Sequence, residues 1–188
     1  AKESAHKDNY TELLPVFLVG NKSSQNTGKG SYETAITKCQ KAISLHSIKR
    51  RPVVNAGKRK NAKMKAYLQR KEYNPFLKNA WLMMGRAQFQ KGDFLEAAAT
   101  FSYITRLYAA EPVVANEARQ WMARCYVQEK WYYDAEDALK RVRRDTTNTL
   151  TKHEADATQA ALLLGQERYE EAIPYLKRTA KNAKGNFK

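Results

Sequence analysis

Apolar side chains recur every third or fourth position through most of this chain. Over Tyr32–Ile48 they are Ala35, Ile36, Cys39, Ala42, Ile43 and Leu45, which make one face of a helix. The same period runs through Phe76–Gln90, Phe94–Tyr108, Pro112–Gln128, Trp131–Arg144, His153–Gly165 and Tyr169–Ala183. Lys91-Gly92-Asp93 separates the first strong pair, Gly92 being suited to a left-handed cap and Asp93 to an N-cap. Pro112 suits a first helical turn, Asp145–Asn148 closes the second pair, and Pro174 is placed to kink the last helix. Near the start, Asp8–Val19 predicts a short helix disturbed by Pro15, and Gly20–Gly30 a polar loop. Pro52 and Gly57 interrupt Lys49–Asn61, and Ala62–Glu72 predicts a short basic helix. The basic tail from Lys181 is expected to fray, and no stretch alternates long enough for a useful strand.

The helices also repeat. Trp81, Met84, Gly85, Ala97 and Phe101 stand at the W-x2-L-G…A-x3-F spacing of a tetratricopeptide repeat, with Met84 in the leucine place. Small residues at Gly85 and Ala97 let two antiparallel helices approach closely, and the large residues fill the space around the contact. Ala123, Tyr126, Ala135 and Leu139 repeat the series 38 residues later (123 − 85 and 135 − 97). Tyr169, Ala172 and Leu176 match a third second helix, 37 residues after Ala135. A degenerate front copy reads Ser31-Tyr32-x-x-Ala35-x-x-x-Cys39-x-x-Ala42. The expectation is an all-α, tetratricopeptide-like solenoid of antiparallel helix pairs in one domain, 1–188. It would comprise a degenerate pair over 9–48, a basic connector over 49–72 and three pairs over 73–184.

Beyond the repeat, several segments resemble one family. KCQKAISLHSIKRRP, RKEYNPFLKNAWLMMGRAQFQKGDF, FSYITRLY and EARQWMARCY…WYYDAEDAL are similar to the N-terminal region of the SprE/PorW lipoproteins. These are tetratricopeptide proteins of Bacteroidetes associated with type IX secretion and gliding motility. The similarity covers most of Asn9–Val142 and weakens after Asp145. It implies a periplasmic protein, tethered to the outer membrane in its full-length form, that links secretion-machinery components as a scaffold. Members of that family are longer and carry a signal with a lipid-modified Cys. This chain shows neither, so it is expected to be a soluble fragment.

Charge adds a second possibility. Thirty-four basic and 19 acidic residues leave a net charge of +15. Ten of the cations lie between Lys49 and Lys71, where there is no acid: Lys49, Arg50, Arg51, Lys58, Arg59, Lys60, Lys63, Lys65, Arg70 and Lys71. Such a run suits a polyanion or an anionic membrane surface. Tyr67 is its one aromatic, so the stacking series of a single-strand nucleic-acid binder is missing. No run of about 18 apolar residues exists to cross a membrane.

Catalytic patterns are absent. Cys39 and Cys125 form no metal spacing, and His6, His46 and His153 are scattered. The Glu136–Asp137 and Glu170–Glu171 neighbours point to different helix faces. Lys29-Gly30-Ser31 fails the phosphate-loop pattern because Gly30 intervenes. Neither a cofactor nor an enzymatic activity is expected. Stacked pairs instead offer a concave face lined by their first helices. In repeat register Asn79, Leu82, Arg86, Phe89 and Gln90 fall there, then Glu117, Gln120, Arg124, Val127 and Gln128, with Phe89 and Val127 equally suited to packing between helices. Arg86 and Arg124 occupy equivalent places (124 − 86 = 38), and their planar donor forks suit carboxylates or carbonyls on a partner protein. Leu82 and Met83 stand where a carboxylate clamp would need polar residues. Trp131 and Tyr133, at a turn between helices, form the second candidate surface.

Overall fold

The computed structural model describes residues 29–182, which form nine helices and no strand. They are α1 (Lys29–His46), α2 (Ala56–Arg59), α3 (Ala62–Leu68), α4 (Leu77–Lys91), α5 (Phe94–Leu107), α6 (Pro112–Gln128), α7 (Tyr132–Asp145), α8 (Thr149–Gly165) and α9 (Tyr169–Asn182). The six from α4 onward fall within a few residues of the segments that periodicity predicts. The expected helix over Asp8–Val19 and most of the loop over Gly20–Gly30 lie outside the described residues. Lys29 and Gly30, assigned by sequence to that loop, open α1. Gly57 does not prevent the four-residue α2 from forming. Pro174 lies inside α9 without ending it.

The turns repeat more faithfully than the residues in them. Gly92, Lys130 and Glu167 have positive φ angles of 95°, 60° and 62°. They stand 38 and 37 residues apart (130 − 92 and 167 − 130). The next N–H reaches back five residues each time: Asp93 to Gln88 (3.0 Å), Trp131 to Tyr126 (2.8 Å) and Arg168 to Leu163 (2.9 Å). The left-handed residue donates to the carbonyl three before it, to Phe89, Val127 and Leu164. This pair of bonds satisfies carbonyls that a helix end leaves open and reverses the chain within two residues. Asp93 does not cap α5 with its side chain. Its carboxylate instead pairs with Lys91 at 2.9 Å.

Packing follows chain order. α1 lies on α4, and from α4 to α9 each helix packs on the next; α4 also touches α6, and α6 touches α8. The close crossings are built by the small residues. A Cβ at Gly85 would stand 2.7 Å from the Phe101 ring, so α4 and α5 meet at a distance only glycine allows there. Ala97, Ala123, Ala135 and Ala172 are all fully buried at corresponding contacts. Phe89, Phe101, Ile104 and Trp121 fill the core of α4–α6, with Trp121 stacked on Phe101 at 5.9 Å and edge-on to Phe89 at 5.5 Å. Leu139, Val142, Leu162 and Leu163 fill the core of α6–α9.

Glu72 holds the connector in place. Its carboxylate accepts from the Ser47 hydroxyl (2.6 Å) and from the N–H groups of Ile48 (2.9 Å) and Asn74 (2.8 Å). The Tyr73 N–H meets the Ile48 carbonyl at 2.9 Å, and the Asn74 amide donates to the His46 carbonyl. Residues 49–71 therefore leave and re-enter the fold at one point, as a basic lobe closed at its base.

Candidate protein-binding groove

The first helices of the three pairs, α4, α6 and α8, run side by side. Gln120 on α6 donates to Thr158 Oγ1 on α8 at 2.9 Å, which fixes those two helices in parallel register. Lys78 and Arg70 both reach Glu111 just before α6, at 3.7 and 3.4 Å. The starts of α4 and α6 and the basic lobe therefore share one end of the molecule. The left-handed turns occupy the other end.

Only some of the sequence-predicted groove residues remain reachable. Asn79 and Arg86 are exposed, and Gln90 and Gln128 are half-buried. Leu82, Phe89 and Val127 are core residues, which removes them from the groove. Gln120 is fully buried; its amide nitrogen also reaches the Glu154 carbonyl at 3.2 Å. Arg124 is buried as well, at 7 % exposure. The expectation that Gln120 and Arg124 face a partner is therefore corrected. α8 lies close enough to α6 to cover both side chains.

The two arginines occupy equivalent places, and each reaches toward the next unit's first helix, Arg86 at the surface and Arg124 inside. Arg86 pairs with Glu117 on α6, and Arg124 lies 3.9 Å from Glu154 on α8. Both guanidiniums approach the Trp121 ring, Arg86 at 5.2 Å and Arg124 at 4.2 Å from its centroid. The acceptors repeat too: Glu154 follows Glu117 by 37 residues (154 − 117). Each rung thus joins one unit's first helix to the next. Burial pulls the Arg124 pKa down to about 10, against the opposing pull of Glu154, so it remains a cation at neutral pH. Burial pushes the Glu117 carboxyl up; Arg86 offsets this in part and the Glu154 charge adds to it.

What a partner can touch is a strip of Asn79, Met83, Arg86 and the edge of Gln90 along α4. Met83 is exposed. The second candidate surface is present at the opposite end. Trp131 and Tyr133, with Lys130, Gln166 and Arg168, line an open cleft of about 660 Å³ between two turns. Stacking on Tyr126 at 5.8 Å holds the Trp131 ring. The predicted cations Lys49, Arg50, Arg51, Lys58, Arg59, Lys60, Lys63 and Lys65 are all exposed on the lobe. The sequence reading overlooked Glu72; its signal is that it is the first acid after the 23-residue basic run.

Among the described residues, no three His, Cys, Asp or Glu side chains converge as a metal ligand set, and no helix is long and apolar enough to cross a membrane. No protein-family model, curated protein or solved structure matches the chain.

Proposed function

We propose that this chain is a non-enzymatic scaffold built as a tetratricopeptide-like solenoid, which binds other proteins along the α4 side of its first-helix face. The observation that carries this is the recurrence of one turn geometry at Gly92, Lys130 and Glu167, with small buried residues at matching crossings. Repeated pairs stacked in order give a rigid platform, and a rigid platform binds with little loss of conformational entropy. Arg86 and Asn79 supply polar contacts at the accessible strip, and Met83 supplies an adaptable apolar one. The segments that resemble the SprE/PorW lipoproteins make secretion-machinery components in the periplasm, beside the outer membrane, the partners to test first.

The test is a photo-crosslinking residue placed at Asn79 or Met83 and, as a control, at Lys140 on the exposed side of α7. Crosslinks to a discrete partner from the first two positions and not from the third are expected. Crosslinks from Lys140 alone, or from a probe at Tyr133 alone, would move the site off the groove. Arg86→Ala is expected to speed dissociation of that partner. Arg124→Ala is unsuited to the purpose, because Arg124 contacts its own protein.

A further inference from the structure

We propose that the end of the molecule bearing the basic lobe is a face that docks on an anionic lipid bilayer. Ten cations lie within residues 49–71, and among the described residues only Arg70 of these has an acidic partner, Glu111. Like charges this dense repel one another, and a surface of opposite charge relieves that repulsion. The lobe is also held in position. Glu72 fastens its two ends to α1 and α4, so the cations are presented from a fixed base rather than a loose tail.

Charge alone would fit any polyanion, and the apolar residues decide between them. Val53 at the lobe and Phe76 at the start of α4 are 91 % and 78 % exposed. Leu45 and Ile48, at and just beyond the end of α1, are also exposed, and so are Val113 and Leu150 in the first turns of α6 and α8. The Tyr73–Ile48 and Asn74–His46 bonds bring the end of α1 to the start of α4. The Gln120–Thr158 bond sets α8 level with α6. All six apolar side chains therefore stand at the lobe end. A bilayer interface accepts both parts, with cations among the headgroups and apolar side chains just below them. A nucleic acid would match the charge and leave the apolar residues unused. Base stacking is further disfavoured because Tyr67 already meets the Tyr73 ring at 5.3 Å and Arg70 at 5.4 Å.

The proposal does not depend on the groove. Its test is flotation of the full chain with vesicles of phosphatidylcholine alone or with about a third phosphatidylglycerol. Binding is expected only to the anionic vesicles and is expected to fall with salt. Lys58→Gln with Arg59→Gln and Lys60→Gln should weaken it roughly a hundredfold. Val53→Ser with Phe76→Ser should weaken it about tenfold or more, with net charge unchanged. A Val53→Trp fluorophore should be quenched by brominated lipid. Circular dichroism checks that each variant keeps its helices. Three results would overturn the proposal: no preference for anionic vesicles, no quenching, or serine variants that bind vesicles like the unaltered chain. Heparin or duplex DNA bound tightly alongside the last result would identify a plain polyanion site. Loss of vesicle binding with groove crosslinks intact would separate this face from the scaffold function.

Discussion

At the scale of single residues, the rung between α6 and α8 decides what the groove can do. Arg124 is buried and charged, and Glu154 lies 3.9 Å from it. Removing a partner from a buried cation costs about 3 kcal/mol, whereas an exposed ion pair contributes about 0–1 kcal/mol. Arg86 is exposed enough to be solvated without Glu117. Burial raises the Glu117 pKa, so this carboxyl binds a proton more readily in the folded state than in the unfolded one. Any stability tied to that shift is present at low pH and is lost as pH rises through the folded pKa. Glu154→Ala is therefore expected to lower stability at neutral pH by more than Glu117→Ala, which should cost less than about 1 kcal/mol. Paired urea melts measure the difference, and equal midpoints would contradict it. The sequence placed Arg86 and Arg124 in equivalent register, yet it misread Arg124, which is buried, as a groove residue. Register states which side of a helix a residue occupies; it does not state how near the neighbouring helix lies. The legible clue was the Glu117–Glu154 spacing of 37, which matches the arginines' own period closely.

At the scale of elements, the strongly periodic helices and the short basic helix from Ala62 were legible, and the clamp that closes the connector was not. α4 to α7 repeat apolar positions over four turns or so, and close packing at Gly85 and Ala97 leaves a readable signature of small residues. The left-handed turns were legible through glycine only at Gly92. Lys130 and Glu167 adopt the same conformation without that signal, and the repeat spacing alone points to them. The connector depends on one buried carboxylate binding backbone from both sides, which no periodicity encodes. Burial pushes the Glu72 pKa up, but the Ser47 hydroxyl and the N–H groups of Asn74, Ile48 and Tyr73 outweigh it and hold it below the ordinary value of 4.5. A carboxyl depressed in this way contributes stability above its unfolded pKa, and that stability is lost as pH falls through the folded value. Glu72→Gln should thus lower the thermal midpoint at neutral pH, and the gap from the unaltered chain should close in acid below the ordinary glutamate range. A gap independent of pH would show that the hydrogen bonds matter and the charge does not.

At the scale of the whole molecule, stability should grade along the stack. Units that contact only their neighbours open locally, and each opening free energy follows what its helices bury. α5 buries Ala97, Ala98, Thr100, Phe101, Ile104 and Leu107, and α6 lies between α5, α7 and α8. α9 has only Ala172 fully enclosed, packs mainly on α8, and carries Pro174, which has no N–H to bond the carbonyl one turn back. α2 and α3 bury no side chain at all. Native-state hydrogen exchange should therefore rank the amides: slowest in α5 and α6, faster in α9, and fastest in residues 50–63. The Ile48 and Tyr73 amides are the informative exceptions. Both are bonded at the base of the lobe, to the Glu72 carboxylate and the Ile48 carbonyl, so they should exchange well below the rate of the lobe between them. Uniform protection from Ile48 to Tyr73 would mean that the lobe is folded as firmly as the helix pairs. Uniform loss, including Ile48 and Tyr73, would mean that Glu72 does not clamp it. The graded pattern would show a stiff stack carrying a loosely structured, positively charged lobe on a fixed base.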